Sequence, residues 1–287
     1  MEKTSIYGVI GDPIHHSLSP FMHQLAYTEL KMPNHHYLPF HVRAERLAEA
    51  VHGMRALGIA GFNATIPHKE SLVPLMDALD PMAELIGAVN TVVIDPSGRL
   101  TGYNTDAYGF ITSLREIFSD PLRDLDILVQ GAGGAARGVL AGLLQEGANR
   151  ITLMNRTLSR AEALAERFAR SFPDQPVRPL AWSNRLSGCR LVINTTSLGM
   201  EDEGAEVPDL DDLEAEAVVY DIVYAPPVTP LLAAARMRGL RVENGLGMLI
   251  HQGARAFEIW TGRVMPVVAV RQGLREQLGV ASLGEIM

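Results

Sequence analysis

The chain has 287 residues, 47% hydrophobic and 20% charged, with one cysteine and a formal net charge of −8. That length fits two domains, the acidic balance argues against a general nucleic-acid binder, and the lone Cys189 excludes an internal disulfide and fits a reducing compartment. No run of 18 or more apolar residues occurs, and Met1-Glu2-Lys3-Thr4 lacks the charged-then-apolar pattern of a signal peptide, so neither a membrane span nor a leader is expected.

Strand-like and helix-like segments alternate nearly throughout, the pattern of an α/β protein with parallel sheets. Ser5–Gly11 reads as a strand. Ser19-Pro20 reads as an N-cap followed by proline at the first helical position, opening a helix to about residue 30. Residues 44–57 carry Leu47, Val51, Met54 and Leu57 at helical spacing, with Gly58 as the stop. Residues 59–64 read as a short strand and residues 69–79 as a helix. Residues 88–94 and Leu100–Tyr103 read as a hairpin across the turn Asp95-Pro96-Ser97-Gly98. Residues 106–118 read as a helix bridging the domains.

A second rhythm starts at residue 126. An apolar strand over residues 126–130 meets the glycine-rich turn 131–134, then a helix over 135–145, a strand over 151–154 and a helix over 157–171. Leu191–Asn194 and Val218–Asp221 read as further buried strands. Residues 200–212 are acidic and turn-rich, the composition of a surface loop. Helices follow around residues 246–260 and 266–278.

The sharpest local signal is Gly131-Ala132-Gly133-Gly134-Ala135-Ala136, set between a strand and a helix as the dinucleotide fingerprint requires. Gly131 allows the tight turn, Gly133 lets the backbone approach a pyrophosphate, and Ala136 permits close helix–strand packing. The helix N-terminus then offers unpaired N–H groups to phosphates. The alternative is a tight turn with no ligand. At the end of the next strand an NAD site would carry Asp or Glu; here stand Asn155-Arg156-Thr157, with Arg160 one turn on. Arg156 can fork onto a 2′-phosphate and Thr157 can donate to it, so the pattern favours NADP over NAD. The alternative there is a Thr157 N-cap beside a solvated arginine.

Four polar clusters interrupt the apolar segments of the first half: Ser17-Leu18-Ser19-Pro20, Asn63-Ala64-Thr65-Ile66-Pro67-His68-Lys69, Asn90-Thr91 and Asn104-Thr105-Asp106. Two serines at a helix start can hold a carboxylate, or Ser19 can simply cap. Strand ends are where α/β enzymes collect ligand groups. An amine and a carboxylate, Lys69 and Asp106, meeting there would relay the proton when an alcohol is oxidised. Alone, Lys69 reads as a surface lysine and Asp106 as an N-cap; which of the pair holds the proton is not legible from sequence.

Together these motifs resemble the shikimate dehydrogenase family nearly end to end. The resemblance runs through residues 11–20 (Gly11-Asp12-Pro13-Ile14-His15-His16-Ser17-Leu18-Ser19-Pro20), residues 63–69, Gly87-Ala88-Val89-Asn90-Thr91, Asn104-Thr105-Asp106, the glycine loop, Asn155-Arg156-Thr157 and Gly245-Leu246-Gly247-Met248-Leu249. It implies reversible NADPH-dependent reduction of 3-dehydroshikimate to shikimate, a step of aromatic amino-acid (chorismate) biosynthesis, with NADP(H) as cofactor and no metal. It implies Lys69 and Asp106 as the catalytic pair. Ser17 and Ser19 would bind the substrate carboxylate, and Thr65, Asn90, Asn104 and Gln252 the ring hydroxyls, with Tyr224 nearby. Gly131, Ala132, Gly133, Gly134, Ala135, Asn155, Arg156, Thr157, Arg160, Thr195, Gly245 and Met248 would bind the cofactor, Thr195 and Met248 on its nicotinamide side. The implied α/β fold has two domains: a discontinuous substrate domain with a mostly parallel sheet, residues 1–106 plus 245–287, and a Rossmann-like doubly wound NADP-binding domain, residues 107–244. A cytoplasmic enzyme, monomer or homodimer, with a small-molecule substrate and neither nucleic-acid nor membrane partners is expected. The alternatives are a quinate/shikimate-type enzyme of broader polyol-acid specificity and a non-catalytic NADP-binding module. Tyr103 departs from many relatives, which carry Asp before the Asn-Thr-Asp run.

Some features carry no chemistry in this reading. The neighbours His15-His16 and His35-His36 diverge on strands and helices alike and make no natural metal site. Cys189 reads as a packed thiol, and the apolar positions of residues 161–168 as a core face.

Overall fold

The computed structural model describes residues 4–200 and 207–279. Among them, residues 4–109 with 249–279 form one compact unit and residues 110–200 with 207–248 another.

In chain order the first unit begins β1 (Ser5–Gly11), α1 (Ser19–Glu29), β2 (His35–His41), α2 (Leu47–Ala56), β3 (Gly61–Ala64), β4 (Ala78–Leu79), α3 (Pro81–Ile86), β5 (Thr91–Ile94), β6 (Leu100–Tyr103) and α4 (Asp106–Ile117), whose last turns belong to the second unit. The sheet order is β2-β1-β3-β5-β6-β4. β1 runs parallel to β2 and β3, and β4 parallel to β6, while β5 runs antiparallel to β3 and β6. The sheet is therefore mostly parallel, as expected. One face packs a core of Ile10, Leu47, Val51, Met54, Phe62, Val92 and Leu100, drawn from strands and from the apolar stripe of α2.

The helix expected over residues 69–79 is absent. Pro74 has no N–H to continue a helical ladder, and only a single 3-10 turn forms at Val73–Leu75. The backbone N–H groups of Asp77 and Asp80 instead donate to the carbonyls of Leu100 and Gly102, drawing this stretch onto the sheet as β4. The following α3 has the capping signals that the 69–79 segment lacks: Asp80 accepts from the Met82 and Ala83 N–H groups, Pro81 opens the helix, and Gly87 closes it in the left-handed region. Ser19 is likewise not an N-cap. It is the first residue of α1, Leu18 occupies the cap position, and no side chain caps the helix.

The second unit continues with β7 (Ile127–Gln130), α5 (Gly134–Gln145), β8 (Ile151–Asn155), α6 (Leu158–Ala169), β9 (Val177–Ala181), β10 (Arg185–Ser187), β11 (Leu191–Asn194), β12 (Asp209–Asp212), β13 (Val218–Asp221), α7 (Pro230–Met237) and β14 (Arg241–Glu243). Its main sheet is wholly parallel in the order β14-β13-β11-β7-β8-β9. Strand order reverses between β7 and β11, the switch point of a doubly wound fold. The acidic stretch expected as a loop contains β12, which pairs in parallel with β10; residues 201–206 of that stretch lie outside the described residues.

α8 (Leu246–Thr261) and α9 (Val267–Leu278) follow, and from Leu249 onward they belong to the first unit. Close approach between helices explains the small residues there. A Cβ on Gly253 would lie 2.1 Å from Met22 Cε, and one on Gly273 would lie 2.6 Å from Leu25 Cδ1. No helix among the described residues is long and apolar enough to cross a membrane.

Candidate active site

Strand pairing collects the polar clusters of the first unit at one edge of its sheet. Asn63 on β3 lies opposite Thr91 on β5, and Thr91 lies opposite Tyr103 on β6. The end of β3, the start of β5 and the end of β6 are therefore neighbours. Thr65, Asn90 and Asn104 each sit within two residues of those positions.

Lys69 and Asp106 meet there. Lys69 Nζ donates to Asp106 Oδ2 at 2.6 Å; the lysine side chain is 15% exposed and the aspartate 4%. Asn90 Nδ2 donates to Asp106 Oδ1 at 2.8 Å, and it also lies 3.0 Å from Thr105 Oγ1 and 3.5 Å from Gln252 Oε1. Both carboxylate oxygens are thus engaged, and the amine is the end of the pair that reaches the surface. Asn90 Oδ1 accepts from the Thr105 N–H at 2.8 Å and from Thr91 Oγ1 at 3.0 Å. Asn104 Oδ1 accepts from the Asp106 N–H, which opens α4, and Asn104 Nδ2 donates to the Ala88 carbonyl. Asp106 therefore begins its helix but is capped by Asn104, and its own carboxylate is left for Lys69 and Asn90. A buried carboxylate is costly unless its lone pairs are satisfied, and here both Asp106 oxygens are bonded.

The other residues of this unit stand nearby in sequence order. The Ser19 N–H donates to Ser17 Oγ at 3.3 Å, which leaves the Ser17 hydroxyl proton uncommitted by that bond; Ser19 is buried and Ser17 half-buried. Thr65 sits in the turn after β3, its N–H donating to the Ile10 carbonyl and its carbonyl accepting from the His68 N–H. Gln252 Nε2 donates to the Leu249 carbonyl on α8. His68 is 1% exposed and its Nε2 pairs with the Val42 carbonyl at 2.7 Å, a structural partner that the sequence did not signal. Neither did it signal Tyr37, whose phenol donates to Asn63 Oδ1 at 2.7 Å.

In the second unit the glycine turn sits at the switch point. Gly131 has φ +103°, which other residues rarely adopt, and a Cβ there would lie 2.7 Å from Thr195 Oγ1. Thr195 Oγ1 donates to the Gln130 carbonyl at 2.6 Å, so the ends of β7 and β11 are tied together. Gly133 is the N-cap of α5, is exposed, and would place a Cβ in open space; no side chain caps the helix. Ala132, Gly134 and Ala135 are half-buried around it, and Ala136 is fully buried against the sheet. The helix therefore presents uncapped N–H groups beside a backbone whose side chains are no larger than a methyl.

Arg156, Thr157 and Arg160 are all exposed beyond the end of β8. Asn155 Nδ2 donates to the Thr157 carbonyl at 2.8 Å and shapes that turn. Thr157 stands at the N-cap position of α6 but makes no capping hydrogen bond, so its hydroxyl is not spent on the helix. Glycine loop, uncapped helix and exposed cations on the adjoining strand fit an anionic dinucleotide with an extra phosphate.

A buried carboxylate braces the same edge. Asp221, 0% exposed at the end of β13, accepts from Asn194 Nδ2 (2.9 Å), the Val223 N–H (3.1 Å) and Thr229 Oγ1 (2.7 Å). Burial pushes its carboxyl up to about 6, against the opposing pull of those three bonds. Asn194 Oδ1 in turn accepts from the Thr196 N–H and Oγ1. Tyr224 lies three residues beyond Asp221 and is half-buried. Gly245 crosses β13's exit so closely that a Cβ would sit 1.8 Å from the Ile222 carbonyl oxygen, and Met248 is buried at the start of α8.

Cys189 is buried, and burial pushes its thiol up to about 11, which suits a packed thiol and not a nucleophile. Among the described residues no group of three or more His, Cys, Asp or Glu side chains is placed to hold a metal.

Known proteins resemble this chain along most of its length. The model of the shikimate dehydrogenase substrate-binding domain matches residues 9–92, that of shikimate/quinate 5-dehydrogenase residues 113–198, and that of the shikimate 5′-dehydrogenase C-terminal domain residues 245–275. A shikimate dehydrogenase (NADP(+)) of Magnetococcus marinus is 49% identical over 277 residues, covering 96% of each chain. The crystal structure of the Thermus thermophilus shikimate 5-dehydrogenase in complex with NADP(H) and shikimate is 37% identical, with a TM-score of 0.83 over 95% of this chain and 99% of that one. A quinate dehydrogenase of Corynebacterium glutamicum in complex with NAD is 31% identical, with a TM-score of 0.85 over 96% of this chain and 100% of that one.

Proposed function

The chain belongs to the shikimate dehydrogenase family, and on that premise we propose that it catalyses the reversible, NADP-linked interconversion of shikimate and 3-dehydroshikimate. The observation that carries the reading is the Lys69–Asp106 contact of 2.6 Å, enclosed by Asn90, Asn104 and Thr105 in the unit that the substrate-binding model matches.

When bound, NADP accepts or returns a hydride at its nicotinamide. The chain's own groups do the rest. Lys69 and Asp106 take the hydroxyl proton as the alcohol is oxidised and return it on reduction; Lys69, the more accessible end, meets the reacting oxygen, and Asp106 holds the amine in place. Asn90, Asn104, Thr65 and Gln252 are assigned to the ring hydroxyls, with Tyr224 beside them. Ser17 and Ser19, at the start of α1, are assigned to the substrate carboxylate. The second unit is the NADP-binding domain: the backbone of Gly131, Ala132, Gly133, Gly134 and Ala135 takes the pyrophosphate, and Asn155, Arg156, Thr157 and Arg160 take the 2′-phosphate side. Thr195, Gly245 and Met248 are assigned to the nicotinamide side. We further propose a cytoplasmic enzyme, monomer or homodimer.

The Lys69→Ala variant tests the catalytic assignment. Loss of a proton-relay group costs about 10²–10⁴-fold in turnover, with NADP affinity by calorimetry kept within about twofold because Lys69 lies outside the nucleotide unit. Turnover near wild type would remove Lys69 from the mechanism.

A further inference from the structure

Tyr37 is the one buried residue of the edge strand β2; its flanking residues His36 and Leu38 are exposed. An aromatic that only fills space would need no hydroxyl, yet this one carries its phenol across β1 to Asn63 on β3. The ring cannot swing away. His23 of α1 stacks on it with centroids 4.1 Å apart and planes 2° from parallel. His23 is 0% exposed, and burial pushes its imidazole down to about 3, so it stays a neutral flat plate.

The bonds beyond the phenol run in one direction. A carboxamide is nearly the same shape at both ends, so its partners alone decide which end faces where. The Tyr37 hydroxyl donates to Asn63 Oδ1, which leaves Asn63 Nδ2 to donate to the Asn90 carbonyl at 3.0 Å and to Thr91 Oγ1 at 2.9 Å. Having accepted from Asn63, Thr91 gives its single proton to Asn90 Oδ1 at 3.0 Å. Asn90 is then left with Nδ2 toward Asp106 Oδ1 at 2.8 Å. Tyr37, Asn63, Thr91, Asn90 and Asp106 are each at most 5% exposed, so water cannot readily replace a missing donor.

We propose that Tyr37 is a positioning residue of the reaction: its phenol pins the oxygen end of the Asn63 carboxamide, whose amine end the Asn90 carbonyl orients, and through Asn63 and Thr91 it steadies the Asn90 carboxamide that faces the Lys69–Asp106 pair. The inference deepens the assignment of that pair and rests on it. Without the phenol, Asn63 Oδ1 is left buried without its donor, and the carboxamide is held only by its Nδ2 bonds to the Asn90 carbonyl and Thr91, so Thr91 holds Asn90 less firmly. The Thr105 N–H, at 2.8 Å, still holds Asn90 Oδ1, so the amide is loosened and not lost. The side chain of Ser19 also hydrogen-bonds the phenol, so the shikimate KM is expected to move as well and is not the deciding quantity.

The test uses the full-length wild type, Tyr37→Phe, Asn63→Ala and the double variant, assayed with shikimate and NADP and melted in parallel. Tyr37→Phe keeps the ring and its stack. It is expected to lower kcat about tenfold, the worth of one net hydrogen bond, with the NADP KM within about twofold of wild type. The double variant is expected to be no slower than Asn63→Ala, because Tyr37 acts only through Asn63. A wild-type kcat in Tyr37→Phe overturns the proposal, as does a tenfold loss that adds in full to that of Asn63→Ala. A lowered melting temperature with unchanged kcat overturns it too, assigning Tyr37 to packing alone. Should wild type itself fail to reduce NADP with shikimate, the proposed function fails first and the role of Tyr37 falls with it.

Discussion

Asp221 gives a prediction whose size can be worked from its surroundings. It is 0% exposed, and burial raises its carboxyl from 3.8 to about 6 despite three hydrogen bonds. Each tenfold change in proton affinity is worth about 1.4 kcal/mol, so the ionised form costs the fold about 3 kcal/mol relative to the protonated form. The sign follows from linkage. Between 3.8 and about 6 the folded state keeps the proton that the unfolded state has lost, so stability falls as pH rises through that window and is flat above it.

Asp221→Asn removes the titration while nearly preserving shape. Relative to wild type, the variant should therefore gain about 2 kcal/mol in stability between pH 4 and pH 7.5, the part of the ~3 kcal/mol that lies inside that interval. Urea denaturation without cofactor measures this. Trp182 lies in the same unit as Asp221 and Trp260 in the other, so fluorescence of Trp182 in a Trp260→Phe background reports the relevant transition. A stability difference between the two proteins that stays constant with pH would refute the reasoning. A carboxylate kept at this cost braces Asn194 and the Val223–Thr229 turn, next to residues assigned to the cofactor.

Two further outcomes are expected. Arg156→Ala should raise the NADP KM about 10- to 100-fold, the worth of charge-assisted hydrogen bonds to a phosphate, and leave the NAD KM within about twofold; equal weakening of both, from initial rates, would remove Arg156 from 2′-phosphate recognition. Gly245→Ala should destabilise the second unit by about 3 kcal/mol, because its Cβ would fall 1.8 Å from the Ile222 carbonyl oxygen and only backbone can yield. The urea midpoint followed by Trp182 checks this, and an unchanged midpoint would mean that the crossing of residues 222 and 245 is looser than described.

Much of the fold was legible because the signals were local. The strand–glycine–helix unit at residues 127–145 carries apolar β-branched residues, then glycines, then a helical stripe, and each level agrees with the next. The hairpin at residues 91–103 declares itself through Asp95, whose carboxylate accepts from the N–H groups of Ser97 and Arg99. Where long-range pairing decided the outcome, periodicity misled: residues 69–79 have helical spacing, but the carbonyls of Leu100 and Gly102 claim their backbone. The strand β2 is not legible in the sequence because only Tyr37 of its seven residues is buried, so it lacks the alternation that marks a half-buried strand. α3 and α7 do carry local start signals: Asp80-Pro81 and Thr229-Pro230 are each a cap followed by proline, and both side chains do cap.

The candidate site divides the same way. Lys69, Asp106 and the asparagines announce themselves as polar residues breaking apolar runs. Tyr37, His68 and Asp221 do not, because their importance lies in partners 26 or 27 residues away in sequence for Asn63, Val42 and Asn194 respectively. Only the folded chain brings such partners together.

The most direct test of the whole account is absorbance of the reduced nicotinamide with the purified wild-type chain, offered shikimate or quinate, each with NADP or NAD. Fast reduction is expected with shikimate and NADP, and slow reduction in the other three combinations. Preference for quinate or for NAD would contradict the assigned specificity of this site, and absence of turnover in all four would contradict its assignment as an enzyme.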